Sequence, residues 1–120
     1  MRILIVDDSK AMRMIVKRTL RQAGFNGHSI EEACNGKEAL SVIRGNAPGL
    51  VLCDWNMPEM TGIELLNELN DNGPQVRFGF VTSEGTQEMR ESAMKAGAMF
   101  LIAKPFTAQA FQESLGSILS

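Results

Sequence analysis

Five short apolar segments alternate along the chain with five longer segments whose apolar residues recur every three or four positions. The apolar segments are five or six residues long, which is typical of strands buried on both faces of a parallel sheet. The longer segments have the periodicity of amphipathic helices. The predicted strands cover residues 2–7, 28–33, 49–54, 77–82 and 99–103. This alternation predicts an α/β domain in which right-handed crossovers place helices on both sides of a parallel sheet.

Capping residues and glycines mark the ends of the predicted helices. The first helix starts near Ser9, a favourable N-cap, and Gly24 ends it. The third follows Thr61, and the fifth starts at Thr107. The residues predicted to face the core are, helix by helix, Met12, Ile15, Val16, Leu20 and Ala23; Ala39, Leu40 and Ile43; Ile63, Leu66 and Leu69; Met89, Ala93 and Ala96; and Phe111, Leu115 and Ile118. Gly79, inside the fourth strand, is unusual, and we expect it to relieve crowding beside Phe78 and Phe80.

The composition is that of an ordinary globular domain. With 120 residues, 44% of them hydrophobic, the chain has the size of about one domain, so we interpret residues 1–120 as one domain without a separate output domain. Its 12 basic and 14 acidic residues lack the basic excess of a nucleic-acid-binding protein. No signal peptide or membrane-length apolar stretch is present, so we expect a cytoplasmic protein that binds neither nucleic acid nor membrane directly. Cys34 and Cys53 are predicted to be buried apolar thiols in a reducing compartment.

Chemically capable side chains follow four of the predicted strands. Asp7 and Asp8 end the first strand and Asp54 the third, while Thr82 ends the fourth and Lys104 follows the fifth. Because the carboxyl ends of parallel strands share one edge of the sheet, these side chains are expected to meet there. Three ionised carboxylates repel one another unless a cation lies between them, and oxygen ligands suit Mg²⁺. Capping of the first helix by Asp7 or Asp8 is the alternative, but it leaves the other acids unexplained.

Asp54 itself is open to three interpretations. It could be a metal ligand, a general base, or a nucleophile that accepts a phosphoryl group. A phosphoryl acceptor needs a metal ion to offset charge, a cation to hold the transferred oxygens and a nearby hydroxyl. Lys104 could supply the cation and Thr82 the hydroxyl. Pro105 and Phe106, in a tight turn before a helix, favour a fixed Lys104 over a solvated one, and the Lys104–Pro105 bond could be cis.

In these motifs the chain resembles the receiver domains of response regulators, and within that family the stand-alone members of the chemotaxis type. The matching segments follow the family's order over nearly the whole chain: Val6-Asp7-Asp8-Ser9, Asn35-Gly36-Lys37-Glu38-Ala39-Leu40, Asp54-Trp55-Asn56-Met57-Pro58 with Met60-Thr61-Gly62, Val81-Thr82, Ala96-Gly97-Ala98 and Lys104-Pro105-Phe106. The resemblance implies a flavodoxin-like, doubly wound sheet with the strand order 2-1-3-4-5. It also implies that Asp54 takes its phosphoryl group from a phosphohistidine of a partner histidine kinase.

The resemblance assigns roles to the metal ligands first. Asp8 would bind Mg²⁺ directly and Asp7 weakly or through water. Asp54 and the backbone carbonyl of Asn56 would complete the protein ligands. The protein would then be no enzyme in the usual sense, because it would catalyse only its own phosphotransfer and autodephosphorylation.

Further positions concern the lifetime and the readout of the signal. Lys104 would contact the phosphoryl group, and Thr82 would swing toward it. Asn56 and Glu84 lie where the family tunes access of the hydrolytic water. The family often has a switching aromatic residue at the position of Leu101, and leucine has no ring to swing. Output would run through the fourth helix, the fifth strand and the fifth helix, with Phe106 at this switch face.

Partners and competing functions follow from these roles. A receiver without an output domain would signal through protein contacts; candidates are a flagellar-switch protein and a phosphatase, and a phosphoryl sink or relay shuttle is the alternative to chemotaxis. An aspartyl-phosphate hydrolase usually has two acids two positions apart, whereas Asn56 follows Asp54 at that spacing. A flavin-binding protein would need a phosphate loop where Asp7 and Asp8 would repel phosphate. A phosphorylation-independent scaffold would not need the acids together with Thr82 and Lys104.

Overall fold

Each predicted strand and helix is present in the computed structural model, which describes residues 1–119. Most boundaries lie within one or two residues of the predicted ones. The elements in chain order are β1 (Arg2–Val6), α1 (Lys10–Gln22), β2 (Ser29–Ala33), α2 (Gly36–Gly45), β3 (Leu50–Cys53), α3 (Gly62–Asn72), β4 (Phe78–Thr82), α4 (Gln87–Lys95), β5 (Leu101–Ala103) and α5 (Ala108–Leu119). None of the helices within residues 1–119 combines the length and the apolar character needed to cross a membrane.

The five strands form one parallel sheet in the order β2-β1-β3-β4-β5. The predicted fold class and strand order are therefore confirmed. β1 is paired with β2 on one side and with β3 on the other. The order in which strands are added to the sheet therefore reverses between β1 and β3. In open α/β sheets, ligands bind at the carboxyl ends of strands beside such a reversal. The register pairs Val6 with Cys53, which brings the acids that follow these two residues to the same place.

Successive side chains of the buried strands belong alternately to two cores, one on each face of the sheet. Leu4 and Val6 of β1 belong to the core covered by α2, α3 and α4. Ile3 and Ile5 belong to the core covered by α1 and α5. β1, β3 and β4 are mostly apolar because both of their faces are buried, whereas the edge strand β2 contains two glutamates and is only partly buried.

Two predictions about individual core residues are wrong. Ile15 of α1 is 42% exposed, whereas Thr19 is buried and its hydroxyl donates a hydrogen bond to the Ile15 carbonyl. The buried stripe of α1 is thus narrower than its apolar pattern suggests. Cys34 is also exposed, because it lies just past the end of the edge strand β2, where its thiol donates to a Glu38 carboxylate oxygen. Cys53, in the central strand β3, is buried as predicted.

Gly79 makes room for the ring of Phe100. A Cβ atom at this position would lie 2.1 Å from the nearest ring atom of Phe100. Phe100 is buried, directly precedes β5 and lies over β4, which is buried along its whole length. The glycine therefore accommodates the Phe100 ring, and the relief of crowding beside Phe78 and Phe80 stays a prediction.

Candidate functional site

Three carboxylates converge at the carboxyl ends of β1 and β3. Asp7, Asp8 and Asp54 each place one oxygen within 4.8 Å of the other two. Asp7 and Asp54 are buried, while Asp8 is exposed. The backbone bond from the Asp54 N–H to the Val6 carbonyl, 2.9 Å long, continues the strand pairing up to these acids. The strand reversal between β1 and β3 thus creates the acidic cluster.

Lys104 reaches this cluster from the end of β5. Its Nζ lies 3.2 Å from Oδ2 of Asp7 and 3.5 Å from Oδ1 of Asp54, and its side chain is only 14% exposed. Its backbone N–H donates to the Thr82 carbonyl at 2.7 Å, and its peptide bond to Pro105 is cis. Its two carboxylate contacts and its low exposure make the lysine a fixed member of the site, not a solvated side chain.

Burial of the Asp54 carboxyl opposes its ionisation, whereas neighbouring hydrogen-bond donors and positive charge support it. Burial raises the pKa of the Asp54 carboxyl above its usual value, and the neighbouring Asp7 carboxylate raises it further. The Lys104 ammonium and the Trp55 backbone N–H, which donates to Oδ1 at 2.8 Å, act in the opposite direction. A cation brought to this cluster would favour the ionised form, which is the form able to act as a nucleophile.

Helix capping does not account for Asp7 and Asp8. The N-cap of α1 is Ser9, whose hydroxyl accepts a hydrogen bond from the Met12 N–H. Both oxygens of Asp7 have partners within the protein: Oδ1 accepts from the Ser9 N–H at 2.9 Å and Oδ2 from Lys104. Asp8 faces solvent. Of the two adjacent acids, Asp8 is thus the more accessible to an incoming ion.

Thr82, Glu84 and Asn56 lie on the segments that surround the carboxylates. Thr82 ends β4 and is fully buried, and its hydroxyl accepts a hydrogen bond from the Glu84 N–H at 3.3 Å. The side chains of Glu84 and Asn56 are exposed. The structure therefore places a buried hydroxyl beside two exposed polar residues at the carboxyl edge of the sheet.

Leu101 and Phe106 belong to different cores but both line a surface depression between α4 and α5. Leu101 is 5% exposed, and its carbonyl accepts a hydrogen bond from Nη1 of Arg90 at 3.2 Å. The Phe106 and Phe111 rings pack with their centroids 4.8 Å apart. Sequence reasoning did not single out Arg90, because nothing in the periodicity of α4 indicates that this side chain reaches the edge strand.

A second residue that sequence reasoning missed is Gly62. A Cβ at this position would lie 2.3 Å from the Asp54 carbonyl oxygen, so only glycine permits this approach of α3 to the Asp54 backbone. The Gly62 N–H also donates to the Trp55 carbonyl at 2.8 Å. Thr61-Gly62 is recognisable in the sequence as a helix start, but the contact with Asp54 exists only in the fold.

Comparisons with known proteins agree with this geometry. Residues 3–116 match the family model of the response regulator receiver domain. The chain is 38% identical over 122 residues to chemotaxis protein CheY1 of Helicobacter pylori, with 99% of this chain and 97% of that protein covered. It is 40% identical over 120 residues to chemotaxis protein CheY-3 of Vibrio cholerae, with 98% and 91% covered. The solved structure of chemotaxis protein CheY4 of Vibrio cholerae superposes with a TM-score of 0.82 at 29% identity, covering 98% of each chain.

Proposed function

Because the chain belongs to the response regulator receiver family, we propose that Asp54 accepts a phosphoryl group from a phosphohistidine of a partner histidine kinase. The phosphorylated protein then signals by binding a downstream protein in the cytoplasm. The observation that carries this proposal is the position of Lys104 Nζ, 3.2 Å from Asp7 and 3.5 Å from Asp54, in a cluster of three carboxylates. A nucleophile, a fixed cation and a potential metal site are the parts that phosphoryl transfer to a carboxylate requires.

The carboxylates fit a resident Mg²⁺ ion. Three oxygens within 4.8 Å of one another, drawn from acids on two different strands, are a donor set that this ion prefers. Asp8, which faces solvent, would bind it directly, while Asp7, already engaged with Ser9 and Lys104, would contribute weakly or through water. Asp54 and the Asn56 carbonyl would complete the protein ligands. When bound, Mg²⁺ offsets the negative charge of the phosphoryl oxygens and the carboxylates.

The transfer itself is a displacement at phosphorus. A carboxylate oxygen of Asp54 forms a bond to phosphorus as the P–N bond to the donor histidine breaks, and the imidazole leaves with the electron pair and takes up a proton. Lys104 holds the transferred oxygens and balances their charge. Burial of Asp54 limits the water that competes with these interactions.

Readout would begin at Thr82. Its hydroxyl is buried and bonded to the Glu84 N–H, and turning it toward the phosphoryl group would free that N–H and shift the start of the β4–α4 loop. Leu101 cannot provide the usual aromatic rotation, so packing changes across α4, β5 and α5, with Phe106 on the same face, would carry the signal. The exposed Asn56 and Glu84 would tune hydrolysis of the phosphoryl group by controlling access of water.

The expected output is of the chemotaxis and motility type, with a flagellar-switch protein as a candidate target and a phosphatase as a further partner. The full-length similarity to chemotaxis proteins supports this choice over a phosphoryl sink or relay shuttle. Capture of partners by the protein treated with Mg²⁺ and beryllofluoride tests the output. Binding of a switch protein that is lost in an Asp54→Asn variant is the expected result.

Phosphorylation is tested with acetyl phosphate and Mg²⁺. Intact mass should increase by one phosphoryl group, and Trp55 fluorescence should change at the same rate. The increase should be absent in Asp54→Asn and retained in Asp71→Asn, which alters an exposed aspartate of α3 as a matched control. A phosphoryl group that persists in Asp54→Asn would refute the assignment of the acceptor.

A further inference from the structure

The loop between β3 and α3, residues 54–61, is fixed at both of its ends and near its middle. The Gly62 N–H donates to the Trp55 carbonyl, which closes the base of the loop. Met57 is 7% exposed and belongs to the core beneath α2, α3 and α4. Asn56 therefore lies in a loop held by several anchors, and a shift of any anchored part of the loop would move the Asn56 backbone.

The tip of this loop is a strained turn. The Met60 N–H donates to the Pro58 carbonyl at 2.8 Å, a bond between residues two apart that defines a γ-turn. The central residue is Glu59, with a φ of 69° in the left-handed region. A γ-turn with positive φ is rare and unfavourable for a residue that has a side chain. Such a conformation persists only where surrounding contacts hold it in place.

The contact that holds the turn is made with the start of α2. Met60 lies directly over Gly36, the first residue of that helix. A Cβ on Gly36 would lie 2.9 Å from Cβ, Cγ and Sδ of Met60. Because the Met60 Cβ is among these atoms, a change of side-chain rotamer would not relieve the overlap, and the backbone of the turn would have to move.

An ion pair beside this contact is too weak to replace it. Lys37 Nζ lies 3.9 Å from a carboxylate oxygen of Glu59, but the two side chains are 69% and 59% exposed. Exposed pairs of this kind contribute little to stability, because water and salt screen them. Packing of Met60 on Gly36 is therefore the stronger of these two contacts between the turn and α2.

We propose that Gly36, Glu59 and Met60 are positioning residues that set the Asn56 carbonyl for the divalent cation. The packing of Met60 on Gly36 fixes the γ-turn, and the γ-turn fixes the short segment back to Asn56. This inference rests on the proposed function, which makes that carbonyl a Mg²⁺ ligand. It predicts that the start of α2, which contributes no ligand, controls the affinity of the metal site.

The first test compares two glycines of the same helix. Gly36→Ala forces the Met60 backbone to shift, whereas Gly45→Ala, at the other end of α2, meets no atom within 4 Å. Mg²⁺ affinity is measured by calorimetry and by the midpoint of the Trp55 fluorescence titration. We expect Gly36→Ala to bind Mg²⁺ about ten-fold more weakly than the wild type, the lower end of the loss seen when groups that orient metal ligands are changed. Gly45→Ala should bind as the wild type does.

The second test separates the turn from the ion pair. Glu59→Asn removes the carboxylate but tolerates positive φ, so it should keep the wild-type affinity for Mg²⁺. Glu59→Val cannot adopt this conformation without strain, so it should lose affinity as Gly36→Ala does. Urea unfolding without Mg²⁺ verifies that each variant is folded, and a loss of affinity in a folded variant supports positioning.

The outcomes distinguish the two proposals. Equal Mg²⁺ affinity of wild type, Gly36→Ala and Gly45→Ala would overturn the positioning role and leave the proposed function intact. A loss of affinity in Glu59→Asn as large as in Glu59→Val would also overturn it, because the ion pair would then be responsible. A wild-type protein that shows no Mg²⁺ binding at all would overturn both proposals.

Discussion

Replacement of Lys104 by methionine separates two roles of positive charge at the acidic cluster. One is to neutralise the carboxylates, and the other is to hold the phosphoryl oxygens. Methionine keeps most of the length and the apolar stem of lysine but removes the ammonium group. In the wild type that group lies between Asp7 and Asp54, two of the three carboxylates that would hold a divalent cation. The substitution should therefore leave Mg²⁺ binding in place or strengthen it, while it removes the group that holds the phosphoryl oxygens.

The distances set the size of these effects. At 3.2 and 3.5 Å, each pair attracts by roughly 5 kcal/mol at an effective dielectric constant of about 20. Desolvation of the ions cancels much of this gain, and removal of one partner of a buried pair costs about 3–5 kcal/mol. Because Lys104 keeps 14% exposure, we expect a stability loss near 3 kcal/mol without Mg²⁺, which a typical domain survives. Loss of a charge-stabilising donor should slow phosphorylation by about 100-fold or more.

Three measurements on Lys104→Met test this reasoning. Urea unfolding gives the stability loss, calorimetry gives the Mg²⁺ affinity, and intact mass after acetyl phosphate gives the rate of phosphorylation. Lys95→Met is the matched control, because Lys95 is an exposed lysine in the last turn of α4. Abolished Mg²⁺ binding in a folded Lys104→Met protein would refute the role given to Lys104, as would an unchanged rate of phosphorylation.

Two further predictions concern the stability of the fold. Gly79→Ala should lower the free energy of unfolding by about 1–3 kcal/mol, because its Cβ would overlap the buried Phe100 ring, and Phe100→Leu in the same chain should restore part of the loss. Hydrogen bonding to Lys17, followed by Arg13, lowers the pKa of the Glu32 carboxyl, although partial burial opposes the shift. The resulting stabilisation is present above the ordinary value of 4.5 and is lost as the pH falls through the lowered pKa. Glu32→Gln should therefore be less stable than the wild type by about 0.5 kcal/mol at neutral pH, and the difference should vanish in acid.

Controls for these stability measurements are available in the same chain. Gly116→Ala in α5 meets no atom within 4 Å and should raise stability by about 0.5–1 kcal/mol, the usual gain in a helix interior. A stabilising Gly79→Ala would contradict the packing account of that glycine. For Glu32, urea unfolding across the acidic range is decisive: a stability difference between wild type and Glu32→Gln that does not depend on pH would exclude the ionised carboxylate as its cause.

Local patterns were sufficient for the fold class and for placing the candidate site residues at one edge of the sheet. Uninterrupted apolar runs identified the buried strands, and the polar residues that end them, such as Asp54, identified the functional edge of the sheet. This succeeds because every parallel strand presents its carboxyl end to one edge. Strand order did not follow from the pattern; it came from the resemblance to the receiver family, and the structure confirmed it.

Local patterns failed where a residue's neighbours come from elsewhere in the chain. Ile15 was expected in the core because its helix is amphipathic, yet the stripe that α5 and the sheet cover includes Thr19 instead. Cys34 was expected to be buried because it follows a strand, but β2 is the sheet edge. Gly79 was expected to relieve crowding beside its sequence neighbours, and a further partner, the Phe100 ring just before β5, comes from elsewhere in the chain.

The sequence by itself determined the alternation of strands and helices and the residues able to carry phosphoryl chemistry, because both depend on local periodicity and on residue type. Only the tertiary structure decided distances: the convergence of Lys104 on Asp7 and Asp54, the approach of Gly62 to the Asp54 backbone, and the packing of Met60 on Gly36. These contacts join residues from different elements of the chain. They arise because the helices pack onto both faces of a sheet with one particular strand order. No single segment of the chain specifies that arrangement.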